Sequence, residues 1–397
     1  MNYLTQPVIL GGSAAEHSAI PFVRPQLPVF EDIENPYREI LQNGMVTTGS
    51  NAEKLGSEVS SFLNSEYAIA ISSCTCGLLL TIQALDLPKG SEVILPSFTF
   101  MASALGPVWN GLRLKFVDVD RSTMNIDPER VEEAISQDTS AIIAVHQFGN
   151  PAPIEEMQAL ADKHGLALIF DSAHGFGSLH NGQPLGVYGK AEIFSMSPTK
   201  LMIAAEGGIV STNDPDIAEH VRLGRNYGNP GNYDCLFPGL NARMSELHAI
   251  LALNSLDLLE SAALHRNQVV GKYVERLESV PGISFQKISP NDQSSYKDLS
   301  IVVDEELYGL TQRQLEKSLL AEGIHTRVYY SPVVHKMKAF SQFADENIEE
   351  QLPNTLYLEF HSLSLPIYSD MQDDEIDIVC ESIKRIHSHA AKIADAL

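Results

Sequence analysis

Basic residues, cysteines and long apolar runs are all scarce in this chain. Its 397 residues carry 27 lysines and arginines against 51 aspartates and glutamates, a formal net charge of −24. Such a field repels nucleic-acid backbones and anionic membrane surfaces, which argues against both as partners. Four cysteines are too few for a disulfide framework at this length. Cys74 and Cys76 stand too close for an easy bridge, and Cys235 and Cys380 have no metal-like companions, so no metal site is expected. No apolar stretch reads as long enough to span a membrane. The opening MNYLTQPVILGGS lacks the basic segment, apolar run and cleavage site of a signal peptide. A reduced, cytoplasmic protein is the expectation. Internal repeats and low-complexity segments are missing too.

What is present suits an ordinary globule. Apolar residues make up 44% and charged residues 20%, enough for a large core and too little charge for disorder. From Tyr67 to Asn213 short β-rich runs alternate with helical ones. The β-like runs are YAIAI, EVILPS, LKFVDVD, AIIAVHQFG, LALIFDS, EIFSM and GGIVST. Between them fall CGLLLTIQAL, DPERVEEAI (capped by Asp127, with Pro128 next) and IEEMQALADKHG, closed by Gly165. This alternation predicts an α/β fold, a mostly parallel sheet flanked by helices. Only the loop Ser197–Glu206 separates the last two runs, too little for a crossover helix, so one strand near the end of the sheet should run antiparallel. After a helical segment at Met244–Leu264 the pattern changes to a helix at Gln268–Val280, the strand DLSIVVD, and helices at Gln312–Glu322 and Asp373–Ala390. The expected division is a large domain over 1–255 and a smaller α+β domain over 256–397.

Ligands of open α/β sheets sit at the carboxyl ends of the strands, so the residues just after each strand nominate a site. After YAIAI, the run Ser72-Ser73-Cys74-Thr75-Cys76-Gly77 opens a helix whose free N–H groups and Thr75 hydroxyl could hold a phosphate; a plain helix start explains the run equally. Phe100 follows EVILPS and offers an aromatic face or core packing. Asp171 ends the apolar strand LALIF, a costly place for an unpaired acid, with His174 three residues on; a helix cap is the alternative for the aspartate and simple packing for the histidine. Lys200 sits in the short loop after Ser195, either functional or merely solvated. A hydroxyl-rich helix start, an aromatic, a strand-end acid and a loop lysine together are what pyridoxal phosphate requires: phosphate contacts, a partner for the pyridine nitrogen and a Schiff-base amine.

The segment FSMSPTKLMIAAEGGIVSTND (Phe194–Asp214) resembles the lysine segment of the DegT/DnrJ/StrS family of aminotransferases, of the aspartate-aminotransferase-like fold type I. FDSAHGFGS (Phe170–Ser178) resembles the family's cofactor-aspartate segment. GMVTTGS, PSFTF, VHQFGNP, PGLNARMSELHA, RVYYSPVVHKMKAF and LSLPIYSDM support the match along both halves of the chain.

The resemblance implies a transaminase using pyridoxal 5'-phosphate (PLP, returning through its amine form PMP). Lys200 would be the Schiff-base lysine and proton shuttle, Asp171 the partner of the pyridine nitrogen, and His174 a neighbour of the ring hydroxyl. Phe100 would stack on the ring, while Thr75, the Cys76 backbone and Ser195 would bind phosphate. Asn241 or Arg243 would reach in from the second subunit of a homodimer, and His335 would lie near substrate. The implied substrates are a keto-sugar carried on a nucleotide and an amino-acid donor, glutamate by analogy. Relatives that dehydrate sugars carry histidine at the lysine position, and this chain carries Lys200. A keto-cyclitol acceptor, or a regulator that only retains the fold, are the alternatives. The chain departs from the family pattern at Cys74, where many relatives have glycine, at Ser197 (histidine), His174 (glutamine) and Ala205 (glycine).

Overall fold

A computed structural model describes residues 6–13 and 18–397, so residues 1–5 of the segment read for a targeting signal lie outside it. The seven β-like runs form seven strands: β1 (Tyr67–Ile71), β2 (Glu92–Pro96), β3 (Arg113–Val117), β4 (Thr139–Val145), β5 (Ala167–Asp171), β6 (Ala191–Ser195) and β7 (Gly208–Thr212). They make one sheet in the order β1-β7-β6-β5-β4-β2-β3. Strands β6 and β7 are buried along their whole length, as expected for a sheet covered on both faces. Neighbours pair in parallel except where β7 lies antiparallel between β1 and β6. The short loop after β6 predicted this single reversal.

Seven helices accompany the sheet: α1 (Phe30–Asn43), α2 (Ser50–Leu63), α3 (Cys74–Ala84), α4 (Ala102–Trp109), α5 (Pro128–Ala134), α6 (Ile154–His164) and α7 (Pro215–Gly224). Local chemistry sets their ends. The Asp127 side chain accepts from Glu129 N–H with Pro128 at the first helical position, and Gly165 ends α6 at φ +67°.

The expected break between two helices near residue 265 is absent. One 32-residue helix, α8 (Glu246–Leu277), runs through it and through the expected domain boundary. Nothing in Leu264-His265-Arg266-Asn267 stops a helix: the Arg266 guanidinium is buried and donates to Tyr296 O, Lys297 O and Ser369 Oγ. The apolar side chains of α8 up to Ala263 join the core beside the large sheet, and those from Val269 join a second core. That second core holds α9 (Gln312–Ala321), α11 (Asp373–Ser388) and a three-stranded antiparallel sheet of β8 (Ile283–Phe285), β9 (Leu299–Val303) and β10 (Ser362–Leu365); α10 (Pro353–His361) precedes β10. Against the expectation from sequence, α8 is long and apolar enough to cross a membrane by length and composition alone. Here it packs against α1, α2 and α11. All four cysteines are free.

Glu246, the first residue of α8, closes the amino end of another helix. Its buried carboxylate accepts from the backbone N–H groups of Gly49 (3.0 Å), Asn51 (2.8 Å) and Ala52 (3.0 Å), three of the donors that the start of α2 leaves free. Glu246→Ala should therefore destabilise the fold by about 2–4 kcal/mol, read from the urea midpoint. Glu246→Gln, which keeps one acceptor oxygen, should lose roughly half as much.

Candidate active site

The carboxyl ends of β5 and β6 are in register, with Asp171 opposite Ile193, and Ser195 faces Gly208 at the start of β7. A cavity of about 330 Å³ opens there. Its walls bring together Thr75, Phe100, Asp171, His174, Ser195 and Lys200, six of the residues expected from sequence. A larger cleft of about 880 Å³ holds none of them. It is edged by Asp120, Asp127, Glu155 and Asp292, which is poor company for a phosphorylated ligand.

Asp171 is buried at the end of β5. Burial pushes its carboxyl upward, and the hydrogen bond from Ser103, the Ala173 N–H and the positive field of Lys200 oppose that rise. Ser103 Oγ donates to Oδ2 at 2.6 Å and Ala173 N to Oδ1 at 3.1 Å. The Cys74 thiol lies 3.9 Å from Oδ1. Burial and the carboxylate beside it drive that thiol well above its ordinary range, so Cys74 is an uncharged packing group here.

Lys200 lies in the loop between β6 and β7, where its N–H donates to Ser197 O and turns the chain. Its side chain is half-buried, and burial followed by the charge of Lys297 pushes its amine down to about 8. A usable fraction is thus unprotonated near neutrality. His174 accepts the Phe148 N–H at Nδ1 (3.2 Å), which leaves an Nε2–H donor. Burial and the charges of Lys200 and Lys297 hold its imidazole well below the usual range, and it stays neutral.

The start of α3 forms another wall. Ser73 caps it by accepting Cys76 N–H at 3.2 Å. The Cys76 N–H is thus engaged by the cap, and the residue does not line the cavity. Thr75 and Ser195 remain to bind an anion. A Cβ at Gly208 would fall 2.6 Å from Cys74 N, so only glycine lets β7 approach the helix start this closely. Phe100 is 52% exposed, an aromatic ring left uncovered by its own chain.

Three expected residues lie elsewhere. His335 is buried away from the cavity, with Nδ1 2.7 Å from Ser97 Oγ and its ring beside Phe116. Asn241 is exposed and bridges to Asn226, while Arg243 donates to Asn226 Oδ1 and lines a separate small hollow with Thr48, Glu53 and Arg225. Conversely, Ser103, Lys297, Asp298, Tyr329 and Tyr330 were not singled out. Ser103 had a sequence signal, since it stands four residues after Thr99 in PSFTFMAS, one helical turn, and the two hydroxyls are 3.0 Å apart. Lys297 and Asp298 are adjacent opposite charges at the start of the strand-like run DLSIVVD, a pattern that carries no site signal.

The residues present fit pyridoxal phosphate. A buried carboxylate, an amine of lowered basicity, a neutral imidazole donor, an uncovered aromatic and a helix start with two hydroxyls share one cavity. Two outcomes test this geometry. Uptake of pyridoxal phosphate by the apoprotein should rise with pH and level off above about 8, where Lys200 is unprotonated; an ordinary lysine would keep rising to roughly 10. Ser103→Ala removes a bond that favours ionised Asp171, so the acid limb of the pH–rate profile should move to higher pH and kcat fall roughly tenfold, with Ser103→Thr restoring both.

The DegT/DnrJ/EryC1/StrS aminotransferase family matches this chain over residues 29–384. The spore coat polysaccharide biosynthesis protein SpsC of Bacillus subtilis (strain 168) is 29% identical over 361 residues, which cover 88% of this chain and 92% of SpsC. The structure of DesI in the presence of its TDP-sugar product superposes with a TM-score of 0.91 at 30% identity, covering 98% of both chains. That of S. venezuelae DesV in complex with a ketimine intermediate gives 0.87 at 27% identity, covering 94% of this chain and 99% of DesV. The strand-end constellation and these similarities agree: the chain belongs to the DegT/DnrJ/EryC1/StrS aminotransferase family and is a PLP-dependent aminotransferase.

Proposed function

We propose that this chain moves an amino group from an amino-acid donor, glutamate first among them, onto a keto-sugar carried on a nucleotide. The observation that carries the reading is Lys200 and Asp171 in the same strand-end cavity, one an amine that titrates near neutrality and the other a buried acid held by Ser103. The TDP-sugar product of DesI and the polysaccharide role in the name of SpsC support a sugar acceptor.

Bound pyridoxal phosphate supplies an electron-withdrawing ring and a carbonyl that can exchange amines. The protein's part is to place groups around it. Thr75 Oγ, Ser195 and the start of α3 would take the phosphate, and Phe100 the face of the ring. His174 Nε2–H would donate to the ring oxygen. Asp171, anionic and fixed by Ser103, would keep a proton on the pyridine nitrogen. Lys200, unprotonated in useful amount, would take the donor's α-proton at Nζ and return it during the second half of the cycle. Asn241 and Arg243 stand outside their own chain's cavity, so we assign them to the cavity of a second copy in a homodimer with shared sites. Free cysteines and an acidic surface suit a reducing, cytoplasmic setting.

An absorbance spectrum tests the reading. The purified protein loaded with pyridoxal phosphate should show a violet band that moves to shorter wavelength on adding glutamate and returns on adding a TDP-linked keto-hexose. Lys200→Ala should lower turnover by more than about 10³-fold. Absence of the band leaves a non-catalytic regulator as the better description, and a band that glutamate shifts but no keto-sugar restores removes the sugar acceptor.

A further inference from the structure

Lys297 and Asp298 form an ion pair in the cavity wall, contributed from the opposite end of the chain to Thr75 and Phe100. Lys297 Nζ donates to Asp298 Oδ1 at 2.7 Å and Oδ2 at 2.9 Å, and the side chains are only 4% and 2% exposed. Taking two charges out of water is costly, and a buried pair is a weak stabiliser compared with apolar groups of the same volume. The pair is nonetheless firmly built. Lys297 N–H donates to Phe148 O at 3.0 Å, Arg266 holds the carbonyls of Tyr296 and Lys297 at 3.0 Å each, and β9 begins one residue after Asp298. Tyr329 lies over it, with Lys297 Nζ 5.7 Å from the ring centroid, and lines the same cavity.

The geometry points to the Lys297–Asp298 pair as the hydroxyl-recognising element of the acceptor site, with Tyr329 as the surface against which the carbohydrate ring rests. The inference rests on the sugar-acceptor reading and says which residues enforce it. Hydrogen-bond inventory supports the pair in this role. An ammonium has three donors and two are used on Asp298, so one remains; a carboxylate has about four acceptor sites and two are used, so about two remain. One spare donor beside spare acceptors on a nearly neutral unit matches neighbouring hydroxyls on a ring, each of which both donates and accepts. Because the pair satisfies itself when nothing is bound, it discriminates by what a substrate offers in exchange. A ring lacking the hydroxyl leaves the spare Lys297 donor and the spare Asp298 acceptors unpaired in the closed cavity, which is the strong form of selectivity.

The test uses the loaded enzyme and two acceptors, a TDP-linked keto-hexose and its analogue lacking the hydroxyl beside the ketone. Removing one partner would strand a buried charge, so the variant is the double change Lys297→Met with Asp298→Leu. The native enzyme should prefer the hydroxylated ketone by about 10²-fold or more in kcat/KM. The double variant should keep its violet band while that preference collapses to below tenfold, a ratio of two acceptors in which any change in the Lys200 amine cancels. A preference unchanged in the double variant overturns the assignment and leaves the sugar-acceptor reading standing. Loss of the violet band in the double variant overturns it too, since the pair is then structural. If the native enzyme takes neither ketone, the acceptor reading fails first and this inference with it.

Discussion

A carboxylate buried at the end of an interior strand needs compensation, and Asp171 is compensated only in part by its own chain. Ser103 Oγ and Ala173 N–H supply two donors, and the Cys74 thiol touches the same oxygen as Ala173 at longer range. Burial still leaves the acid shifted upward. On the function proposed above, the remaining partner would be a cation brought by the ligand, the protonated ring nitrogen. Cofactor binding and stability would then be linked: what pairs with Asp171 in the native state alone stabilises that state. Much of the rest follows. The order β1-β7-β6-β5-β4-β2-β3 puts β5 at the centre, α4 is placed so that Ser103 reaches across, and β7 needs Gly208 to let α3 begin close by.

The reversal of β7 is the second constraint. A parallel strand after β6 would need a crossover and would carry the chain away from the site. The antiparallel return instead leaves a twelve-residue loop, Met196 to Gly207, over the carboxyl ends of the strands, and Lys200 sits in that loop. Ala205 occupies it at φ +65°, a region that favours glycine. The loop thus holds a strained non-glycine residue next to its lysine, in the one segment whose conformation the chemistry depends on.

Legibility in the sequence followed burial. All seven strands of the large sheet could be read because they are short aliphatic runs between helical patterns, and Asp171 and Lys200 could be read because an acid at such a run's end and a lysine in such a short loop are out of place. The small domain was harder. Strands β8 and β10 have three and four residues, too few for a periodic signal, and α8 lacks any stop residue near Arg266. Sequence shows that a helix starts at Cys74 but not that its cap takes the Cys76 N–H. Nor does it show that His335, in a family-like segment, packs against Ser97 and Phe116. Lys297 and Asp298 gave no warning, since only tertiary packing by Arg266 and Phe148 turns adjacent charges into a buried pair.

A chain of net charge −24 must still welcome phosphorylated ligands, and the cavity shows how narrowly it does so. Among the described residues that line it, the cations are Lys200 and Lys297. Neither is a free positive charge: Lys200 has lost basicity and Lys297 is neutralised by Asp298. The phosphate contacts therefore fall to the dipole and N–H groups at the start of α3 with Thr75 and Ser195, which suffice for one group held close against backbone. They do not suffice for a nucleotide's further phosphates. Arg225 and Arg243 are gathered in a different hollow of the same chain, beside Thr48. In the homodimer proposed above, the hollow of one copy would face the cavity of the other and bring these arginines to it. The proposed shared site would then answer the electrostatics of this acidic sequence as well as its shape.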